Sequence, residues 1–220
     1  MSKLVWDKVG EHFFEAGVEQ GVLYPMVDNE YPLGVAWNGL TSFSASPSGA
    51  EPNAHWADNR KYLNIIGTEE FGATIGAFTY PDEFAECNGF KELAPGVRVG
   101  QQARKPFGFV CKTILGNDTE GIDHGYKLHL IYGCSASPSE VEYSTIGEDV
   151  EPGEMSWEIS TVPVSVSGCR PTAHLEIVST QVNSKKLKAL EDILFGSATA
   201  EARLPLPDEI AELMAEEASA

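Results

Sequence analysis

Alternation of apolar and polar residues over three segments is the feature that most constrains the fold of this chain. Between Tyr126 and Tyr132 every second residue is Tyr or Leu, while Lys127 and His129 occupy the opposite positions. The segments from Met155 to Thr161 and from Thr172 to Val178 alternate in the same way. A period of two residues is that of a β-strand with one face on a core and the other toward water. The core is therefore predicted to be built from antiparallel strands.

Turn residues separate further strand-like runs along most of the chain, which contains 21 Gly and 13 Pro. Val35 to Trp37 and Leu40 to Phe43 flank the pair Asn38-Gly39. This dipeptide is favoured by two-residue hairpin turns, so these two strands are predicted to pair with each other. We expect a mainly β fold of two packed antiparallel sheets, either a β-sandwich or a partly closed barrel.

Helical patterns occur only near the C-terminus. Ser184 is a plausible cap for a helix from Lys185 to Phe195, and Gly196 supplies its stop. A linker is predicted over 197–207, followed by a short acidic helix that begins at Pro207. The expected organisation is a β-domain with its flanking helix at 1–196, and a linker with a short, loosely docked helix at 197–220.

The charge balance excludes several classes of partner. The chain has 15 Lys and Arg against 33 Asp and Glu, a net charge of −18. Such a surface is not built to grip a nucleic acid or an acidic membrane. Between Leu128 and Cys169 there is no Lys or Arg but there are seven acids. That run is either an ordinary solvated face or a surface that repels a polyanion.

Signals for export or for a membrane segment are absent from the pattern. No apolar run approaches 18 residues, and the first residues mix charges with aromatics. The four cysteines form no C-x-x-C pair, so they are expected to be reduced structural thiols.

Motifs of catalysis are equally scarce, and we expect neither an enzyme nor a cofactor. There is no G-x-S-x-G elbow and no phosphate-binding glycine loop, and the five histidines are scattered. The loop Asn117–Asp123 is rich in oxygen ligands suited to Ca²⁺, but its spacing does not match an EF-hand. A solvated turn is the alternative, and the sequence leaves this choice open.

Seven long stretches of the chain together carry a family resemblance, and they are GVAWNGLTSFSASPSGAEP (34–52), ADNRKYLNIIGTEEFGATIGAFTYPDEFAECNG (57–89), LAPGVRVGQQARKPFGF (93–109), ILGNDTEG (114–121), YKLHLIYGCSASPSEVEYSTI (126–146), KLKALEDILFG (186–196) and ARLPLPDEIAEL (202–213). In these stretches the chain resembles the major tail tube proteins of long-tailed, non-contractile bacteriophages and prophages.

The resemblance implies a structural virion protein of the phage tail, assembled in the host cytoplasm. Its subunits would form rings, usually hexameric, that stack into the tube through which genomic DNA leaves the capsid. The implied partners are further copies of the chain, a tape-measure protein and tail-end proteins. Each subunit would lend about four strands to an inner barrel, and 24 tilted strands about 4.8 Å apart close to roughly 50 Å across.

If the chain forms such a tube, its net negative charge would make the lumen acidic. Six copies at −18 carry −108. Because an acidic wall cannot release counterions by binding phosphates, DNA would pass without sticking. Which sheet faces the lumen is not defined by the sequence. The candidate lumen-lining acids are Glu69, Glu158 and Glu176.

The segment from Thr41 to Lys61 is too long for a tight turn, and long connections are usually functional or disordered. Under the resemblance it is an arm to the neighbouring ring, anchored by Trp56 and Arg60, because Trp and Arg are favoured at interface hot spots. Trp56 folding back on its own subunit is the alternative. The same two interpretations apply to the C-terminal helix and its candidate contacts, Ile210, Leu213 and Met214.

Two rival functions fit a β-sandwich. A hydrolase with carboxylate chemistry would need acids that converge in a pocket. A carbohydrate-binding module would need a stacking platform, and the available tryptophans are Trp6, Trp37, Trp56 and Trp157.

Overall fold

The computed structural model describes residues 3–146 and 152–215, and it confirms the mainly β, antiparallel prediction. Residues 147–151, which belong to the acidic run between Leu128 and Cys169, lie outside the described residues. The strands are β1 (Phe14–Pro25), β2 (Val35–Trp37), β3 (Leu40–Ala45), β4 (Ser48–Gly49), β5 (Pro52–Ala57), β6 (Arg60–Ile66), β7 (Glu69–Glu70), β8 (Gly72–Ala77), β9 (Lys91–Ala94), β10 (Val97–Val99), β11 (Phe107–Asn117), β12 (Gly121–Ala136), β13 (Met155–Thr161) and β14 (His174–Val178). The helices are α1 (Phe84–Cys87), α2 (Ser184–Leu194) and α3 (Pro207–Met214).

One eight-stranded sheet holds most of the structure, in the order β2-β1-β11-β12-β13-β8-β3 with β14 beside β12. The two packed layers are halves of this continuous sheet, joined through the 16-residue strand β12. Along one edge of β12, the middle residues pair with β14 and the last residues, from Cys134 to Ala136, pair with β13. The strands at the two ends of the sheet, β2 and β3, are joined by only two residues and must therefore lie close together. The sheet is accordingly curled into a partly closed barrel.

The predicted hairpin at Asn38-Gly39 is wrong. β2 pairs with β1, whereas β3 pairs with β8, so the two residues connect opposite ends of the sheet. Gly39 has a φ of 79°, and its carbonyl accepts a hydrogen bond from the backbone N–H of Phe78 at 2.9 Å. Trp37 donates its indole N–H to the carbonyl of Thr79 at 2.8 Å. Tertiary anchoring of the large Trp37 side chain decides the course of the chain here, rather than local turn preference.

The first core fills the inside of the curled sheet and is centred on aromatic rings. Trp37 and Trp157 have ring centroids 5.5 Å apart, and Phe84 of α1 lies 4.5 Å from Trp37. Ile75 of β8 and Phe109 of β11 complete the contact between the two halves of the sheet. Offset and edge-on aromatic packing of this kind adds to the stabilisation from buried area.

The second core lies on the opposite face of β1, β11 and β12, under α2 and α3. Leu128 and Leu130 of β12 meet Leu187, Leu190 and Leu194 of α2 there. These three strands are therefore buried on both faces along their inner segments, residues 21–24 of β1, 107–111 of β11 and 128–134 of β12. For 126–132 the predicted core face is confirmed, because its Tyr and Leu residues face the helices. The predicted water face is wrong, because His129 is 9% exposed and Ile131 enters the first core.

The C-terminal elements are integral to this second core. Asn183, rather than the predicted Ser184, caps α2 by accepting a hydrogen bond from the N–H of Lys185, while α3 begins at Pro207 as predicted. The segment 197–206 does not run as a free linker, because Leu204 is buried and its N–H donates to the carbonyl of Tyr31.

All four cysteines are free thiols, and three of them are buried. Burial raises the pKa of Cys87 to about 12, so this thiol stays protonated at neutral pH. No helix within residues 3–146 and 152–215 is long and apolar enough to span a bilayer.

Replacing Phe84 by Ala tests the first core. Phe84 is fully buried among Trp37, Phe107 and Trp157, so Phe84→Ala is expected to lower the free energy of unfolding by about 3–5 kcal/mol. Urea titration should show an earlier midpoint with an unchanged slope. Phe78→Ala, at a half-exposed ring, is the control and should stay within about 0.5 kcal/mol of the parent. Equal losses in the two variants would contradict the packing described here.

Candidate interaction surfaces

The most prominent surface feature is a long hairpin that we call the hairpin arm, residues 46–71. It continues β3 and β8 outward through the pairs β4–β7 and β5–β6. Asp58 and Asn59 form its turn with φ angles of 52° and 57°, as a type I′ turn requires. From Ala45 to the turn the arm spans about 40 Å of extended chain. No other element of the described chain packs extensively against β5 or β6.

The end of the hairpin arm combines exposed apolar rings with positive charge. Trp56 is 70% exposed and Tyr62 is 66% exposed, and Ile65 is exposed beside them. Arg60 and Lys61 lie next to the turn, and neither forms an ion pair with a described residue. In this chain Trp56 does not fold back on its own subunit. The signal missed in the sequence was Asp58-Asn59, two residues that tolerate positive φ, between two β-prone runs.

A second uncovered surface is the outer face of β3, β8 and β13. Because Phe43, Ile75 and Trp157 point into or pack against the first core, their neighbours point outward. The outward residues are small and polar, and they are Ser42, Ser44, Gly72, Thr74, Gly76, Ser156, Glu158 and Ser160. No Lys or Arg occurs in these three strands.

Gly76 shows how tightly this polar face is arranged. A side chain at position 76 would collide with the hydroxyls of Thr41 and Ser42 and would crowd the carboxylate of Glu154. Thr41 donates its hydroxyl proton to that carboxylate. The face is therefore kept flat by glycine and ordered by short polar side chains.

The three acids proposed for the lumen do not share one face. Glu158 is exposed on the outer face of β13, opposite Thr74 of β8. Glu176 of β14 lies on the other side of the sheet, since its neighbour Ile177 belongs to the second core, and it pairs with Lys127 at 3.1 Å. Glu69 lies on β7, near the base of the hairpin arm.

The C-terminal helix docks on its own chain. Ile210 is buried in the second core, and Leu213 and Met214 pack against that core from partly buried positions. Of the two interpretations of this helix, the structure favours the intrachain one for Ile210. Asp208 further ties α3 to the loop at Ser167, whose backbone N–H and hydroxyl donate to it at 2.8 and 2.7 Å.

The oxygen-rich loop after β11 holds the N-terminal segment instead of offering free ligands. The carboxylate of Asp118 accepts hydrogen bonds from the backbone N–H of Gly10 at 3.0 Å and of His12 at 3.2 Å, and it lies 2.9 Å from Nδ1 of His12. The side-chain oxygen of Asn117 accepts from the N–H groups of Thr119 and Glu120. No cluster of three His, Cys, Asp or Glu in the described ranges is placed to hold a metal ion.

The clefts and tryptophans bear on the two rival functions. A cleft of about 710 Å³ lies between β1, β2, the start of β3 and the segment after α2. It is lined mainly by apolar side chains, and its lining includes Glu19, which pairs with Lys112. Trp37 and Trp157 are buried in the first core and cannot stack on a glycan. Trp6 and Trp56 are exposed, on separate segments.

Removing the Asp118 carboxylate should detach the N-terminal segment. Hydrogen bonds from His12 and Gly10 hold the pKa of Asp118 at about 2. Because this pKa is depressed, the clamp is expected to persist above pH 3.8 and to be lost as the pH falls through about 2. In Asp118→Asn the amide hydrogen exchange of Gly10 and His12, measured by NMR, should accelerate at pH 7. Asp123→Asn in the same turn is the control, and unchanged exchange in Asp118→Asn would refute the clamp.

Comparisons with known proteins do not indicate a function for this chain. No protein-family model matches the chain, and no curated protein matches it. The function is therefore inferred from the hairpin arm, the outer face of β3, β8 and β13, and the net negative charge of the chain.

Proposed function

We propose that this protein is a self-associating structural subunit whose rings stack into the tail tube of a long-tailed bacteriophage, the conduit for genomic DNA. The hairpin arm is the observation that carries the proposal. Its exposed rings and its length suit an element that is completed by another copy of the chain. The resemblance of the sequence to tail tube proteins supplies the kind of assembly.

The amount of exposed surface supports association. The chain exposes 14675 Å², whereas a compact monomer of 23.8 kDa exposes about 10,000 Å². Large apolar side chains contribute to this surface on the hairpin arm, on the N-terminal segment and in the loop around Tyr143, which is 88% exposed. Apolar patches of this kind mark surfaces that become buried against partners.

Charge complementarity supports a second copy as the partner of the arm. The β5–β6 hairpin carries two cations, Arg60 and Lys61, against one acid, Asp58. The chain as a whole carries −18. Only this end of the arm is weakly positive, because the whole arm also carries Glu51, Glu69 and Glu70. Placing the positive end on a strongly acidic neighbour lowers the repulsion between like-charged copies and favours an ordered encounter.

The outer face of β3, β8 and β13 is the proposed wall of the lumen. The last residues of β12 would provide the fourth strand, and the opposite side of the fold is covered by α2 and α3. Ser, Thr and Gly side chains leave the bore wide, and Glu158 with Glu154 makes it acidic. A wall without Lys or Arg offers DNA phosphates no cation to displace their counterions.

The proposed location and partners of the protein follow from its proposed role in a tail tube. The protein would act in the virion tail after assembly in the host cytoplasm, together with a tape-measure protein and the proteins of the tail ends. Glu176 drops out of the proposed wall, since it lies on the opposite sheet face and is neutralised by Lys127.

Truncating the arm tests self-association. Trp56→Ala is expected to abolish tubes or stacked rings in negative-stain electron microscopy, under conditions in which the parent chain assembles with its initiator proteins. The reason is the loss of a large exposed aromatic anchor at the proposed contact. Circular dichroism should stay unchanged, because Trp56 supports no core. Val162→Ala, an exposed apolar residue outside the arm, should assemble normally, and normal assembly of Trp56→Ala would contradict the role of the arm.

Reversing a wall charge tests the lumen. Glu158→Lys would place six cations on each ring, so tubes should still form but should retain duplex DNA and slow its ejection, with the effect weakening as salt rises. Retention can be measured by DNA protection from nuclease in assembled particles. Glu212→Lys, on the exposed side of α3, carries the same charge change on the covered side of the fold. Equal DNA retention in both variants would remove β13 from the proposed wall.

A further inference from the structure

Two histidines form a hydrogen-bonded pair beneath the hairpin arm. The rings of His129 on β12 and His174 on β14 lie edge to edge and nearly coplanar, with centroids 5.4 Å apart and planes inclined by 7°. Nδ1 of His129 lies 3.2 Å from Nε2 of His174, and Nε2 of His129 lies 2.9 Å from the hydroxyl of Thr113. His129 is 9% exposed, so this polar contact is largely removed from water.

The pair is held between the last residue of the hairpin arm and β3, the strand that leads into the arm. Phe71, just before β8, stacks on His174 with centroids 4.6 Å apart and planes inclined by 20°. Phe43 of β3 packs on His129 at 5.8 Å and on Phe109 at 6.1 Å. Phe71, the last residue of the arm, and Phe43 of β3, the strand that leads into the arm, therefore each rest on one imidazole, and these rings join the base of the arm to β12 and β14.

The hydrogen bond between the two rings depends on the protonation state of the two imidazoles. One nitrogen of the close contact donates and the other accepts, which a neutral pair satisfies. A first added proton places a charge among apolar rings, and a second makes both facing nitrogens donors at 3.2 Å. Each step opposes the stack that holds the arm.

Burial lowers the pKa of both rings and keeps the pair neutral at pH 7, while the surrounding charges modify this effect. Glu176 and Glu15 favour protonation of His129, while Lys127, which both acids contact, opposes it. Burial is the largest influence and lowers the pKa of both rings, that of His174 to about 4 with a further contribution from His129. Arg170 and Glu69 line the outer side of His174, in a cleft of about 810 Å³ that admits water.

We propose that the His129–His174 pair is a pH-sensitive lock on the base of the hairpin arm. At neutral pH the neutral pair fixes the arm in the direction given by β3 and β8. Acidification protonates the pair, separates it from Phe71 and Phe43, and releases the arm while the doubly buried strands β1, β11 and β12 stay folded. The consequence for tube assembly rests on the proposed function, but the release itself is a property of the single chain.

Hydrogen exchange on the unassembled chain tests the lock. The closed state binds fewer protons than the released state between about pH 6.5 and pH 4, so the closed state loses stability as the pH falls through that window. For His174 alone this lowers the closed-to-open ratio by roughly 30-fold between pH 7.5 and pH 5. Protection of amides in peptides covering 40–50 and 66–77, corrected for intrinsic rates, should fall by that factor, and peptides from β11 should keep their protection.

Two variants separate the lock from general acid instability. His174→Phe keeps a ring on Phe71 but removes the titrating group, so protection of the base of the arm should become independent of pH in this window. His55→Gln, at an exposed histidine of the arm itself, should behave like the parent. The lock would be overturned if acidification reduced protection at the base of the arm equally in His174→Phe and in the parent. It would also be overturned if the amides of β11 in the parent lost protection together with those at the base of the arm.

Direct titration of the parent protein covers the case in which His174→Phe does not fold. NMR signals of both imidazoles should titrate below the ordinary range, together with exchange at the base of the arm. Imidazoles that titrate normally without any change in exchange would overturn the proposal. Neither measurement requires assembled tubes, so the two proposals fail separately. If tubes form but the arm is not released at low pH, only the lock is refuted. If the arm is released at low pH but no tubes form, only the proposed function is refuted.

Discussion

Burial of β1, β11 and β12 on both faces is the constraint on which the rest of the structure depends. One face of these strands meets the aromatic core inside the curled sheet, and the other meets α2 and α3. The inner segments of these strands have no solvated face, so they cannot slip in register without exposing a row of apolar side chains. They therefore fix where the helices dock and which sheet faces are left for partners.

The remaining surfaces follow from this constraint. The helices close one side of the fold, so β3, β8 and β13 turn a flat and polar face outward. The hairpin arm extends from the same strands, and its apolar rings gain little from the barrel that carries it. The residues that stabilise the fold and the exposed apolar residues of the arm are thus separated in space, and the proposed association with another copy would use only the latter.

Local patterns predicted the parts of the fold whose cause is local. The alternation in β12, β13 and β14 identified their buried faces, and Pro207 marked the start of α3, because side-chain period and helix-end chemistry act within a few residues. The pairing of β2 and β3 was mispredicted, since the burial of Trp37 overrode the turn preference of Asn38-Gly39. The arm was anticipated only as a long segment, and its turn at Asp58-Asn59 was missed.

By itself the sequence determined the strand-rich class, the acidic surface and the apolar face of α2, because composition and short-range periodicity contain them. Tertiary structure alone decided which acids share a face, that Ile210 is buried in its own chain, and that His129 meets His174 45 residues away. Those outcomes depend on how a curled sheet brings distant strands together. No spacing within one segment encodes that arrangement.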